Sequence, residues 1–326
     1  MAEGAPSRVA SVGRLDMPPA PTAAVLDIKG RGPWRLAWMR FRQDRVGIVS
    51  ASVILAIVVV ALAAPWIAQL VGHDPNAQYR DIGLSPEGIP VGPGRTFLFG
   101  TDDLGRDVLV RVVYGTRISL LAGMLASSLA VVVGVVVGLT AGYFGSAVDA
   151  VLARFMDVVL SFPYLLLALA LVSIIGPSLP LSIVVVAFFS WASVGRVIRG
   201  QTLSLREKEF VEAARSLGAS DLRIMFIDIL PNLTAPIVVY ATLLIPLSIV
   251  FMATLSFLGL GIVPPTPAWG EMLASSVAYY KVAWWFVLAP GAALLITTLA
   301  FNLLGDSVRD ALDPRGELVF RRGRRA

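Results

Sequence analysis

The feature that most constrains this chain is a set of five long tracts without a single Asp, Glu, Lys or Arg, which together make up half of its 326 residues. Because about 20 apolar residues cross a bilayer core as a helix, each tract is long enough for at least one crossing. The sequence is 56% hydrophobic and 15% charged, whereas a soluble domain is about 25% charged. The pattern predicts an all-α integral membrane protein and excludes secreted, disordered and nucleic-acid-binding classes. The tracts lie between Arg45 and Asp74, Arg117 and Asp149, Asp157 and Arg196, Asp228 and Glu271, and Lys281 and Asp306.

Two of the tracts are too long for one helix. The 38-residue tract after Asp157 would form a helix about 57 Å long, and the Gly-Pro-Ser-Leu-Pro segment at 176–180 divides it. The 42-residue tract after Asp228 contains one crossing and a proline-rich loop at 264–267. Six transmembrane helices result, so both termini lie on the same side of the membrane. The predicted spans are 46–71, 116–143, 157–175, 181–198, 234–258 and 283–304.

The charges between the spans predict the orientation. If both termini are cytoplasmic, the cytoplasmic segments contain 21 Lys and Arg residues and the extracytoplasmic segments contain 6. Cytoplasmic loops of membrane proteins collect basic residues. We therefore expect the N- and C-termini in the cytoplasm.

The sequence divides into five predicted regions. Residues 1–32 lack periodicity and are expected to be a disordered cytoplasmic tail. At 33–45, three aromatic residues at helical spacing alternate with arginines, which predicts an amphipathic helix lying on membrane lipid. The remaining regions are the first span with its extracytoplasmic loop (46–115), a core of five helices (116–305) with a cytoplasmic loop at 199–233, and a basic cytoplasmic tail (306–326).

Several kinds of chemistry are excluded by what the sequence lacks. It has no cysteine and one histidine, so we expect no metal site, and we place His73 in a solvated loop. No predicted span has an ionisable residue near its middle, although ion-coupled transporters usually need one there. An intramembrane enzyme would lack a catalytic pair. The phosphate-binding pattern GxxxxGK[ST] is also absent from the sequence, so we expect no cofactor on this chain and an energy source outside its spans.

The second span carries a small residue at every fourth position. Such residues let helix backbones approach closely inside a membrane. Static packing and a moving helix–helix interface both fit this pattern. The positions are Ala122, Ala126, Ala130, Gly134, Gly138 and Gly142.

The loop at 199–233 is long for a connection between helices and has a helical pattern of its own. Ser204 and Glu207 fit a capping box, and Gly218 fits a helix stop. A second helix is expected from Ser220 to about Leu230. Two short amphipathic helices at the membrane surface suit docking to a soluble partner, and they equally suit packing on the chain's own bundle.

One motif in this loop consists of Glu212, Ala213, Ala214, Leu217, Gly218, Leu230 and Pro231. These residues and their spacing resemble the EAA loop of bacterial ABC-transporter permease subunits. In that family the loop contains a coupling helix that fits a cleft of the ATPase subunit, and the resemblance implies this role here.

A second motif precedes the second span and includes Gly100, Thr101, Asp102, Gly105, Arg106 and Asp107. By their chemistry alone, its aspartates suggest either a calcium site or helix capping and salt bridges to Arg106 and Arg111. The motif resembles the corresponding stretch of dipeptide/oligopeptide permeases of the C type. Members of that family commonly have Ser at position 110, where this chain has Val110.

Together the motifs imply a type I ABC importer permease fold in the bacterial inner membrane. The implied function is a non-enzymatic permease subunit that imports di- or oligopeptides. The implied partners are a homologous B-type permease, two ATPase subunits that use ATP and Mg, and an extracytoplasmic substrate-binding protein. The same motifs leave open an importer of nickel chelates, glutathione or another small solute. A secondary transporter or channel is a more distant alternative.

Overall fold

The computed structural model describes residues 32–313, which fold as a bundle of helices. Most of the predicted N-terminal tail and residues 314–326 of the predicted C-terminal tail lie outside the described residues. The helices are α1 (Pro33–Phe41), α2 (Arg45–Val71), α3 (Arg80–Gly83), α4 (Val108–Phe144), α5 (Ser146–Ser161), α6 (Tyr164–Ile175), α7 (Leu179–Arg206), α8 (Glu209–Ser216), α9 (Asp221–Arg223), α10 (Thr234–Phe257), α11 (Trp269–Ser276) and α12 (Trp284–Leu312).

Six membrane-spanning segments are present when a bent pair of helices is counted as one. Five single helices are long and apolar enough to cross a membrane, namely α2, α4, α7, the continuous helical stretch from 221 to 257, and α12. The sixth segment consists of α5 and α6, whose axes differ by 83°. The predicted all-helical membrane fold is confirmed.

The third predicted span, 157–175, was wrong as a single straight helix. The chain is already helical from Ser146, and the helix breaks at Phe162 and Pro163. Phe162 is extended, with ψ 139°, because the ring of a following proline disfavours the helical conformation. The membrane segment therefore consists of two helices at a steep angle.

Three other helix bounds differ from the prediction. Helix α4 begins eight residues earlier than expected because the side chain of Asp107 accepts a hydrogen bond from the Val110 amide and caps it. Helix α7 runs eight residues past its predicted end. Helix α12 continues to Leu312, so the predicted tail boundary at 306 falls inside a helix.

Helix α4 lies at the centre of the bundle and packs against α7, α10 and α2. All six small residues of its stripe are buried. A side chain at Gly138 would lie 2.5 Å from the Gly195 carbonyl oxygen, and one at Gly134 would lie 2.7 Å from that of Trp191. The glycines of the stripe thus allow close contact between the backbones of α4 and α7.

Helix α1 packs against the end of α12. The Arg40 guanidinium donates a hydrogen bond to the Asp313 carbonyl oxygen, 2.8 Å away. Trp34 and Trp38 remain more than half exposed. This exposure suits the lipid surface expected for α1, and that location stays a prediction.

Candidate functional site

The coupling segment, which we define as residues 207–233, begins where α7 ends. The predicted capping box was wrong, because Ser204 lies inside α7 and Glu207 follows its last turn. Lys208 instead precedes the first residue of α8. The apolar pattern of α7 continues through Leu205, which packs against the core. This packing stabilises the helix beyond Ser204, and α7 ends at Arg206.

One buried side chain fixes α8 to the bundle. Val211 is fully buried and belongs to a cluster that joins α8 to the C-terminal halves of α4 and α7. Burying a side chain of this size contributes about 1.5–3 kcal/mol. The other buried members of the cluster are Val131, Leu139, Tyr143, Val194, Ile198, Ile224, Met225, Ile229 and Leu233.

The EAA-motif residues on α8 face mostly outward. Glu212 and Ala213 are exposed, and Ala214 is partly buried against the cluster. Leu217 is 88% exposed, an unusual environment for a leucine in a loop that is otherwise anchored. The outer face of α8 therefore carries both polar and apolar side chains, while its inner face packs against the bundle.

Gly218 ends this helical turn through its backbone conformation. Its φ is +78°, and no atom lies within 4 Å of where a side chain would begin. The constraint at this position is therefore the left-handed backbone, which a glycine adopts without strain. The Ala219 amide then donates to the Ala214 carbonyl oxygen over 3.1 Å.

The second half of the coupling segment does not end at Leu230 and Pro231 as predicted. A π-helical stretch, Ile224–Ile229, passes into a 3-10 turn, Leu230–Leu233, which leads directly into α10. Pro231 has no amide hydrogen to donate. It lies in the first turn of the 3-10 stretch, where backbone amides have no hydrogen-bond partner within that stretch. The loop is thus rigidly continuous with a membrane span.

A hydrogen bond connects this half of the segment to the bundle. The Tyr143 hydroxyl, at the end of α4, donates to the Asp221 carboxylate over 2.7 Å. Several large apolar side chains nevertheless face away from the bundle. They are Phe210, Leu217, Leu222, Phe226 and Ile227.

At the opposite end of α4 from the coupling segment, the second motif forms the turn that starts this helix. Asp102 is fully buried and accepts hydrogen bonds from the backbone amides of Leu104 and Arg106, each 2.9 Å. The Arg106 guanidinium pairs with the same carboxylate at 2.6 Å. Gly100 and Gly105 have φ of +70° and +76°, which the tight turn requires.

The aspartates therefore act as caps and salt-bridge partners. Thr101 donates to the Gly83 carbonyl oxygen over 2.5 Å, which holds the turn against α3. Within residues 32–313, no group of three His, Cys, Asp or Glu side chains is placed to hold a metal ion. Of the two interpretations left open by the sequence, capping and salt bridges account for Asp102 and Asp107.

His73 is not in a solvated loop. Its Nδ1 lies 2.6 Å from Asp107 Oδ2, and its side chain is 12% exposed. Its ring contacts Tyr79 and Phe97. The histidine thus holds the loop that follows α2 against the capped end of α4.

Arg111 ties this turn to α11, an arrangement that sequence reasoning missed. Its side chain is fully buried, with Nη2 3.0 Å from Glu271 and Nε 3.3 Å from Asp102. Nη1 donates to the Pro75 carbonyl oxygen over 3.1 Å. Burial raises the pKa of the Glu271 carboxyl, and the charge of Arg111 opposes this rise.

A cavity of about 710 Å³ opens between α5, α6, α7 and α10, and one residue of α12 also lines it. The sequence could not predict this cavity, because its walls come from residues that lie up to about 140 positions apart in the chain. Among the described residues that line it, none carries a formal charge. Its polar groups are hydroxyls and one amide, from Tyr164, Ser190, Ser193, Tyr240, Thr254 and Asn302.

Comparison with known families decides the class of this chain. Residues 134–317 match the binding-protein-dependent transport system inner membrane component family. The chain belongs to this family. Residues 32–86 match the N-terminal transmembrane domain of oligopeptide transport permease C. The protein is therefore a multi-pass permease subunit of the bacterial inner membrane, as the motifs implied.

Characterised permeases resemble this one along most of its length. A di/tripeptide transport system permease of Pseudomonas aeruginosa is 41% identical over 283 residues, which cover 87% of this chain and 92% of the relative. A dipeptide permease of Haemophilus influenzae is 40% identical, with 87% and 95% covered. A glutathione permease of Salmonella typhimurium is 45% identical over 285 residues, with 87% and 91% covered.

Among solved structures, the permease resembles a chain of the MetNI methionine ABC transporter in an inward-facing conformation. The TM-score is 0.50 at 18% identity, and the match covers 63% of this chain and 96% of the other. This likeness concerns the fold. It confirms the ABC importer permease fold that the sequence motifs implied.

Proposed function

We propose that this permease is the membrane subunit of an ATP-driven importer that carries di- and oligopeptides into the cytoplasm. The observation that carries the proposal is the coupling segment: its α8 is fixed to the ends of α4 and α7 by Val211, while Glu212 and Leu217 face outward. A helix held in this way transmits a push from a bound protein into the membrane spans.

The proposed orientation places the coupling segment and both termini in the cytoplasm. The excess of basic residues on that side supports it. ATP and Mg would be bound by two ATPase subunits that dock on coupling segments, one on this chain and one on its partner. When the ATPase subunits close, the movement of α8 would reach α4 and α7 through Val211 and through the hydrogen bond between Tyr143 and Asp221.

A second permease subunit, of the homologous B type, would complete the pathway. This chain encloses the large cavity only in part, with walls from α5, α6, α7, α10 and α12. A partner that covers the open part would enclose a passage. An extracytoplasmic binding protein would deliver substrate to the outer surface, as the family description indicates for its members.

The chemistry of the cavity supports a peptide substrate. Hydroxyl and amide groups such as those of Tyr240 and Asn302 can exchange hydrogen bonds with peptide groups, which all peptides share. A lining without formal charge holds no fixed charge that would attract one sign of substrate charge and repel the other. The names of the relatives at 40–41% identity point to the same substrates.

Glutathione is the second candidate, because the 45% identical relative is a glutathione permease. The test is uptake of a radiolabelled dipeptide by cells that carry this transport system, with unlabelled competitors in excess. We expect dipeptides and tripeptides to suppress uptake, and glutathione to suppress it weakly. Uptake of labelled glutathione that dipeptides do not reduce would favour the second candidate, and absence of uptake of either would contradict both.

A further inference from the structure

A second cavity, of about 380 Å³, lies between α5 and α7. Arg154, Arg196 and Arg199 line it together with Asp157. Its remaining walls are formed by small or apolar side chains, from Ala150, Ala153 and Met156. Three guanidinium groups around one small cavity are unusual next to membrane-spanning helices, where charged side chains are rare.

The carboxylates nearby do not balance these arginines. Arg199 is fully engaged by Asp149, with one of the two hydrogen bonds at 2.7 Å. Asp157 is shared, lying 2.7 Å from Arg196 and 4.0 Å from Arg154. One positive charge remains, and both arginines that share Asp157 are more than half exposed. The cavity therefore carries a net positive charge, which favours the binding of an anion.

An apolar surface continues from the cavity along α5. Val151, Phe155 and Val158 are exposed and recur at helical spacing. Phe155 also stacks on Trp191 of α7, with ring centroids 5.6 Å apart. The cavity and this surface together offer a cationic site beside an apolar strip.

The depth of the site suits a lipid headgroup. Arg196 lies ten residues before the end of α7 at Arg206, which is about 15 Å along the helix axis. The coupling segment begins directly after α7, and the proposed function places that segment outside the bilayer. A distance of this size from the end of α7 then places Arg196 near the level of the headgroups. Basic cavities between spans on the cytoplasmic side are suited to acidic lipids.

We propose that the cavity binds the phosphate group of an anionic phospholipid whose acyl chain lies along Val151, Phe155 and Val158. Guanidinium groups present paired donors that match phosphate oxygens. The inference uses the cytoplasmic orientation of the proposed function and goes beyond it, since it assigns a lipid to a surface that the proposed function does not use.

The test measures lipid binding to the purified full-length chain by native mass spectrometry, with phosphatidylglycerol and phosphatidylcholine as probes. The variant Arg154→Gln/Arg196→Gln removes the two exposed guanidinium groups. The control Arg95→Gln/Arg117→Gln removes two exposed arginines elsewhere. A further variant, Ala150→Trp, fills the cavity and leaves every charge in place.

We expect phosphatidylglycerol to bind at least about tenfold more weakly to the arginine variant and to Ala150→Trp, and normally to the control. Phosphatidylcholine binding should be the same in all four proteins. Equal phosphatidylglycerol binding by wild type and both cavity variants would overturn the proposal. Unfolding temperatures within the range of the control show that the variants fold, and Ala150→Trp keeps the test decisive if the arginine variant does not.

Two further arms separate the lipid from other anions and from a protein partner. If inorganic phosphate displaces phosphatidylglycerol completely at millimolar concentration, the site binds free phosphate and the lipid assignment is wrong. If the arginine variant loses the second permease subunit from the assembled complex while still binding phosphatidylglycerol, the site is a subunit contact and the proposal fails. Because lipid binding is measured on this chain alone, failure of the transport proposal would leave its result interpretable.

Discussion

At the scale of single residues, we expect the buried ion pairs beside α4 to tolerate substitution least. Arg111 is fully buried and joins the turn at Asp102 to Glu271 of α11. A buried charge that loses its partner is strongly destabilising, whereas removal of both partners is much less so. The stability contributed by each of these three charged side chains therefore depends on the presence of its partners.

The variant Arg111→Met tests this dependence. We expect it to lower the free energy of unfolding by about 3–5 kcal/mol, measured by thermal unfolding of the purified protein in detergent. The double variant Arg111→Met/Glu271→Met should lose clearly less than the sum of the two single variants. Additive losses would show that Arg111 and Glu271 do not stabilise each other.

The loss in Arg111→Met should also depend on pH. Burial raises the pKa of Glu271, and without Arg111 nothing as close opposes that rise. A carboxyl group whose pKa is higher in the folded state contributes stability that is present below its unfolded pKa, and this contribution is lost as the pH rises through the folded pKa. The defect should therefore be larger at about pH 8 than at about pH 5.

The sequence predicted part of this network. Capping by Asp107 and the salt bridge between Asp102 and Arg106 follow from local spacing, and both are present. The pairing of Arg111 with Glu271 joins residues 160 positions apart, which no local pattern reveals. His73 was misplaced for the same reason, because its partner Asp107 lies 34 positions away.

At the scale of helices, the contact between α4 and α7 depends on glycine. The small-residue stripe predicted close packing, and the structure places Gly134, Gly138 and Gly142 against the backbone of α7. The sequence could not predict which helix would pack against the small-residue stripe of α4. It also missed the break at Pro163 as a change of direction, since a proline in a span can bend a helix slightly or separate two helices.

Two glycine-to-alanine substitutions test the helix contact with a matched control. At Gly138 the added methyl group would lie 2.5 Å from a carbonyl oxygen of α7, whereas at Gly200 no atom lies within 4 Å. We expect Gly138→Ala to cost about 1–3 kcal/mol of unfolding free energy and Gly200→Ala to raise it by up to about 1 kcal/mol. Thermal unfolding of both variants measures the difference, and equal stability would contradict a tight backbone contact.

At the scale of the whole molecule, the sequence predicted the class well because bilayer thickness and charge exclusion act on every span. The family motifs added the coupling segment, whose residues 212–218 form an outward-facing helix and its stop. The cavity between α5, α7 and α10 could not be predicted, because it depends on how the spans pack. The orientation and the partner subunits belong to the proposal.

The central claim is that ATP hydrolysis outside the membrane drives transport through the coupling segment. The most direct measurement is dipeptide uptake by vesicles that contain the assembled transporter, energised by ATP, with co-purification of the ATPase recorded for each variant. Leu217→Asp changes an 88% exposed side chain of the coupling segment, and the control Ile82→Asp changes a 58% exposed side chain of α3.

We predict that wild type and Ile82→Asp import the dipeptide only when ATP is present. We predict that Leu217→Asp folds, loses the ATPase on purification and imports nothing above background, because a charge on the docking face is left without water or a partner. Wild-type import by Leu217→Asp, or import by the wild type from a proton gradient without ATP, would contradict the account.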